Sequence, residues 1–383
     1  MNDIPASPKL TEEQSLNDDG RRGARAPAAN GRPRPLRVCI VDMNDGHANQ
    51  AMRCFRGIAA GFFSRVKQTN PDVECVLTEV SPRNTEDDIP DNCDLYLSSG
   101  GPGSPYDGDG KNWVGRYYRF LDRVVEAAEE GGVEQQALFA VCYSFEMIIR
   151  HFKVAEMKPR AERKFGVMPV YMTDEGQEHP LLAPFADRLF AFEHRNWEAV
   201  DLDTRKLAAL GGQLLARESR DGVSKGKAVL GLDVTSGIEA VQFHPEADRA
   251  GVVSWVSRPD QAAAFKATYG DTTYAAMLRT LDDPRRLART YALVIPGWLS
   301  RKFNLAAPER GYNPIAMPND EDVLDAFGRP DPADNLVPPS SVSPAMAAAK
   351  NGRGVARRPR RRLALSEAIT AVTFCEGPFQ VLS

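Results

Sequence analysis

From Leu36 onward, short apolar runs alternate with segments whose apolar residues recur at helical spacing. The runs at 36–41, 73–80, 95–98 and 137–141 read as buried strands, and the segments at 50–67, 117–130 and 143–152 as helices. Strand–helix alternation of this kind implies right-handed crossovers and a mostly parallel sheet, so the fold class is α/β. After residue 164 the pattern turns β-rich, with short strands at 165–173, 189–192, 228–233 and 238–243 between polar loops. Residues 260–304 read as two or three helices, including 273–281 and 283–294.

These changes of pattern divide the chain. Residues 1–35, rich in Pro, Ala, Asn and Arg, read as a disordered leader. Residues 36–250 form the α/β domain, 251–317 a helical extension, and 318–383 a mostly disordered tail. Within that tail 345–362 is rich in Ala, Gly and Arg, whereas 368–382 is apolar and reads either as a small docked strand or as unstructured chain.

A length of 383 residues suits one large domain or two modest ones. A net charge of -4 argues for neither nucleic acid nor membrane. The basic stretches, 21–37 and 353–362, read as solvated tails. No uncharged apolar run reaches the roughly 18 residues of a spanning helix. The six cysteines, at 39, 54, 75, 93, 142 and 375, show no CxxC pair and no metal-ligand spacing. A reducing cytoplasm, no metal and no cofactor are therefore expected.

One cysteine stands apart. Cys142 ends the apolar run Ala137-Leu138-Phe139-Ala140-Val141, with small residues at Ala140 and Ser144 on either side. A strand-to-helix turn that pushes a nucleophile out of the backbone needs small neighbours there. About a hundred residues on, Val241-Gln242-Phe243-His244-Pro245-Glu246 closes another strand run. A thiol, an imidazole and a carboxylate are the parts of an activated cysteine nucleophile. Upstream, Ser98-Ser99-Gly100-Gly101-Pro102-Gly103-Ser104 follows a strand and could offer backbone N–H groups to an oxyanion. Taken singly, Cys142 reads as a buried structural cysteine and His244 as a core histidine; the three ordered segments together favour catalysis.

These three segments resemble those of the class I (triad) glutamine amidotransferases, including stand-alone glutaminase domains of GMP synthase-like proteins. That family carries a Gly-Gly-Pro-Gly turn, a Gly-x-Cys-x-Gly-x-Gln elbow and a Phe-His-Pro-Glu segment in this order. The resemblance covers roughly residues 36 to 250 and implies a flavodoxin-like sheet with flanking helices. It implies Cys142 as nucleophile, His244 as base and Glu246 as the group that orients His244. It assigns the oxyanion hole to the N–H groups of Gly101 and Tyr143, and the substrate pocket to Gly103 and the residue at Glu146. His194 and Arg195, in Glu193-His194-Arg195-Asn196-Trp197, fall where the family's loop faces substrate; a solvated loop is the other reading.

The elbow departs from the family at three places. Ala140 and Ser144 stand for glycines, and Glu146 stands for the glutamine that holds the amino-acid head. A carboxylate there would repel an α-carboxylate about 4 Å away by about 1 kcal/mol in water and by more when buried. Glu146 is read as protonated, as paired with a cation such as Arg195, or as facing solvent. The glycine turn also has a faint likeness to an ATP pyrophosphatase loop, but Gly103 stands where that loop needs Asp, and no Walker loop is present. The expected activity is therefore hydrolysis of a small-molecule carboxamide, glutamine or a relative, through a cysteine thioester. A separate synthetase subunit would accept the ammonia. A cysteine hydrolase or acyltransferase on a non-glutamine substrate, or a catalytically silent regulatory relative, are the alternatives.

Overall fold

The computed structural model describes residues 33–328 except 48, 133–134 and 221–226. The expected leader at 1–35 and the tail beyond Gly328 lie almost wholly outside the described residues. The strands are β1 (Leu36–Val41), β2 (Cys75–Val80), β3 (Leu95–Ser98), β4 (Ala137–Val141), β5 (Glu156–Met172), β6 (Arg188–Val200), β7 (Gln213–Arg217), β8 (Val229–Thr235) and β9 (Ile238–Val241). The helices are α1 (Gln50–Thr69), α2 (Pro82–Thr85), α3 (Asn112–Glu130), α4 (Tyr143–Phe152), α5 (Asp174–Glu178), α6 (Thr204–Ala209), α7 (Arg249–Val256), α8 (Pro259–Tyr269), α9 (Asp271–Leu281), α10 (Leu287–Arg310) and α11 (Asp320–Gly328).

All nine strands form one sheet, in the order β2-β1-β3-β4-β9-β8-β6-β5-β7. The first five neighbours are parallel. From β9 onward the pairings are antiparallel. The flavodoxin-like, mostly parallel sheet expected from the sequence is thus corrected to a mixed sheet. Its α/β class and its helical C-terminal part are as expected. The correction arises from β5 and β6, a hairpin longer than its apolar residues indicate. The expected strands at 165–173 and 189–192 extend into charged chain because those charges pair with one another across the sheet: Arg160 with Glu198 and Glu218, and Lys164 with Glu218. Period-two apolar alternation, the usual strand signal, is absent there.

The parallel half is buried on both faces. On one side α1 and α10 cover Val38, Ile40, Phe139 and Val141; on the other, α3 and α4 cover Cys39, Tyr96, Leu138 and Ala140. Glu239 on β9 pins α10 to the sheet: its carboxylate accepts from Trp298 Nε1 at 3.2 Å and Arg301 Nη2 at 2.7 Å, with Lys302 Nζ at 3.0 Å. The helical part runs past residue 317, the boundary expected from the sequence, to Gly328. Helix α10 likewise outruns the expected 283–294, continuing through Pro296 and Pro308 because tertiary packing holds it.

Candidate active site

The last carboxyl-end residue of β4 leads straight into Cys142, whose backbone lies at φ 50°, ψ −104°. A non-glycine residue there is strained, and such strain persists only where the surroundings over-determine it. Two bonds do so: the Cys142 N–H donates to Val241 O at 2.8 Å, and its carbonyl accepts from Glu146 N at 3.0 Å. The residue thus ends a parallel strand pairing and begins a helical turn at once. It caps the amino end of α4, where the helix dipole favours negative charge. Ser144, at a family glycine position, is fully buried. Its hydroxyl donates to Ser99 O at 2.7 Å and meets Ser98 Oγ at 2.8 Å, which meets Tyr117 Oη at 3.0 Å. One proton per hydroxyl orders this chain from Tyr117 to Ser98 to Ser144 to the Ser99 carbonyl. The elbow is bolted to the turn after β3.

His244 follows β9. Its N–H donates to Phe192 O at 2.8 Å, and its Nδ1 lies 2.8 Å from Glu246 Oε1. Burial opposes charge on this imidazole. The Glu246 carboxylate, hydrogen-bonded to it, and the Cys142 sulfur nearby win and hold its pKa well above the ordinary value. The turn after β3 passes close against this pair. A Cβ on Gly100 would lie 2.8 Å from His244 Cε1 and 3.3 Å from Cys142 Cβ, and one on Gly101 only 2.0 Å from Met43 O. A side chain at Gly101 would need backbone movement, and one at Gly100 would displace the His244 ring.

Glu146 is 3 % exposed in the first turn of α4. Its Oε1 accepts from Gln242 Nε2 at 3.0 Å, and the same nitrogen stands 3.8 Å from Cys142 Sγ. Burial pushes its pKa up to about 7, against the pull of the Gln242 bond and the charges of Arg195, His244 and Arg83. Of the readings open in the sequence, solvent exposure is thereby corrected. Pairing with Arg195 is corrected too: that guanidinium gives Nε to Glu193 Oε2 at 2.7 Å, Nη2 to Glu218 Oε2 at 3.0 Å and Nη1 to Trp197 O at 3.3 Å. His194 is half-buried beside Arg163, which bonds its Nε2, and lies parallel to the Phe192 ring at 6.4 Å. Burial and the Arg163 charge keep His194 well below its usual pKa. Arg195 and His194 are therefore not in a solvated loop but in the β5–β6 hairpin. Gly103 lies across the glycine turn, on a separate cavity of about 230 Å³ shared with Arg83, Asp107 and Trp113.

No family model and no curated protein matches this chain in sequence. Among solved structures it is similar to a glutamine amidotransferase from Thermotoga maritima, at 14% identity over 67% of this chain and 96% of that one, with a TM-score of 0.43. It is similar to a glutamine amido transferase from Methylobacillus flagellatus, at 14% identity over 59% of this chain and 76% of that one, TM-score 0.39. A third is the glutaminase domain of Trypanosoma brucei CTPS with bound acivicin, at 13% identity over 64% of this chain and 94% of that one, TM-score 0.41. Likenesses this slight carry no argument about function, which rests on the geometry of the site.

Two residues that sequence reasoning passed over belong to this geometry. Gln242 sits two residues before His244, so strand alternation puts both on one side of the chain; that spacing was the available signal. Arg83 carried none. Buried in α2, it gives Nη1 to Met43 O at 2.8 Å and to Pro102 O at 3.0 Å, and its guanidinium lies 4.0 Å above the Tyr143 ring. It therefore joins the turns that follow β1, β3 and β4. Among the described residues, no group of three or more His, Cys, Asp and Glu side chains is arranged to hold a metal ion, and no helix is long and apolar enough to cross a membrane.

Proposed function

We propose that this chain is a cysteine-dependent amide hydrolase of the glutamine amidotransferase type. The observation that carries the reading is Cys142 held at positive φ on the β4–α4 turn, with the His244 ring beside it across Gly100 and hydrogen-bonded to Glu246. In this mechanism Cys142 passes its proton to His244, and the sulfur attacks the carboxamide carbon. The N–H groups of Gly101 and Tyr143 stabilise the oxyanion. His244 gives the proton to the leaving nitrogen, the C–N bond breaks, and ammonia departs from a thioester on Cys142. His244 then takes a proton from water, whose oxygen attacks the thioester carbon; the C–S bond breaks and the acid is released. Glu246 holds the imidazole in the useful tautomer throughout. A separate synthetase chain in the reducing cytoplasm would consume the ammonia, a setting that suits the unpaired state of the described cysteines.

The buried carboxyl of Glu146 favours one refinement of the substrate. Glu146 would read the head of the amide, while Arg195 and His194 back the wall rather than touch substrate. A head that lacks an α-carboxylate suits Glu146 better than glutamine does.

Trapping with a chloroketone analogue of glutamine, followed by peptide mass spectrometry, tests the reading. Wild-type protein is expected to carry the adduct on Cys142, and Cys142→Ala to carry none while melting at the same temperature. Adduct on Cys39 or Cys93, or persistence of labelling in the variant, would overturn the assignment. Glu146→Gln should raise glutamine turnover about tenfold, mainly through KM, since one unfavourable charge contact costs about 1–2 kcal/mol. A variant poorer than wild type on glutamine would show that Glu146 does not select against it.

A further inference from the structure

The described residues also enclose a cavity of about 300 Å³, far from Cys142, between α1, α10 and α11. A volume of this size is enough for a small organic molecule. Its floor is open because α1 presents Gly57 and Gly61 there; a Cβ on Gly61 would meet no atom within 4 Å. Its apolar wall is Ile58, Phe62 and Ala326.

Its polar wall is Ser64, Gln68, Tyr291 and Ser300. Ser300, 1 % exposed, lines the cavity with a buried hydroxyl oxygen that has no hydrogen-bond partner. One turn earlier on α10 stands Pro296, which has no N–H to give the carbonyl of Ala292, and both residues line the same wall. Buried polar atoms without partners are rare in folded proteins, and each calls for an explanation. The charges add to this. Arg65 is the one cation among the lining residues, and it is spent on Asp322 at 2.7 Å. The second lining carboxylate, Asp325, is exposed and makes no ion pair among the described residues. One cation against two carboxylates leaves the wall with one net negative charge.

We infer that this cavity is a binding site for a small organic ammonium ion, a monocation with an apolar body. Its N–H groups donate to the Ser300 hydroxyl oxygen, the Ala292 carbonyl and the Asp325 carboxylate, and its hydrocarbon part lies on Ile58 and Phe62. The site shares no residue with the candidate active site, so it stands whether or not the proposed hydrolysis is correct.

Titration calorimetry and thermal shift on the full chain with hexylammonium test the assignment, with hexanol and hexanoate as matched neutral and anionic probes. Saturable binding of hexylammonium with a rise in Tm is expected, at least tenfold tighter than hexanol, and none for hexanoate. Asp325→Asn should weaken hexylammonium about tenfold. Gly61→Leu fills the cavity and should abolish binding; it replaces a glycine in a helix interior with a better helix former, so it should fold. Absence of saturable hexylammonium binding, equal binding of hexanol, or unchanged binding to Gly61→Leu would each overturn the proposal.

Discussion

Two buried glutamates, one in each half of the sheet, meet opposite fates. Glu146, in the parallel half, is faced by the neutral amide of Gln242, and burial lifts its pKa to about 7. Glu218, in the antiparallel half, is also withdrawn from water, but Arg195, Lys164 and Arg160 surround it and hold it down at about 2. Burial alone therefore does not decide protonation; the partner does. Near Cys142 the protein keeps a carboxyl whose pKa burial lifts towards neutrality. Just after β7 it keeps a fixed anion that pairs with three cations of the β5–β6 hairpin.

The most forceful way to break this contrast is Arg195→Met. The side chain is 1 % exposed and holds Glu193, itself fully buried, as well as Glu218. Removing one partner of a buried ion cluster leaves uncompensated charge, at a cost of about 3–5 kcal/mol. Urea unfolding at pH 7 should show a loss of that size, shrinking as acid neutralises the carboxylates. A loss below about 1 kcal/mol would mean that Lys164 and Arg160 suffice, and that Arg195 is not the keystone of the hairpin.

How much of this could be read from the chain differs between the halves for the same physical reason. The elbow is written locally: an apolar strand, small residues at Ala140 and Ser144, and the His-Pro-Glu run are all visible in short windows. The hairpin is written in pairs far apart in sequence. Arg160 and Glu218 are 58 residues apart, so the strand character of 156–164 shows only once the fold brings the charges together. The same holds for Gln242 against Glu146 and for Arg83 against Pro102, contacts that no periodicity announces. Helix α10 ran against a rule that is usually sound, since a proline within a helical pattern ends the helix unless packing overrides it.

A second test compares pH slopes. The Glu146 pKa is higher folded than its ordinary value of 4.5, so the native state holds that proton more tightly. Its contribution to stability is fully present below pH 4.5 and is lost as pH rises through about 7, a change of about 3 kcal/mol. Glu218 runs the other way. Its folded pKa is depressed, so its contribution is present above pH 4.5 and is lost as pH falls towards 2. Glu146→Gln should accordingly match the wild type at pH 4.5 and exceed it by up to about 3 kcal/mol at pH 8. Parallel curves from pH 4.5 to 8 would show that Glu146 does not titrate in that window.

The smallest effect expected concerns the elbow itself. Ser144 stands where the resembling family has glycine, and its hydroxyl is the middle of the chain that runs from Tyr117 to the Ser99 carbonyl. Ser144→Ala keeps the helix and the small size but leaves the Ser98 hydroxyl without its acceptor and the Ser99 carbonyl without that donor. The cost should be about 1–2 kcal/mol, the usual penalty for stranding buried polar groups. Ser144→Gly should cost a further 0.5–1 kcal/mol or so, because glycine adds backbone entropy in the first turn of α4. Both variants keep the bonds from Cys142 N–H to Val241 and from Glu146 N–H to Cys142, which set the positive φ at the sulfur. The rate of Cys142 alkylation should thus stay within about twofold of wild type while the melting temperature falls. A large loss of thiol reactivity in Ser144→Ala would place the hydroxyl chain, rather than the two backbone bonds, in charge of aiming the Cys142 thiol.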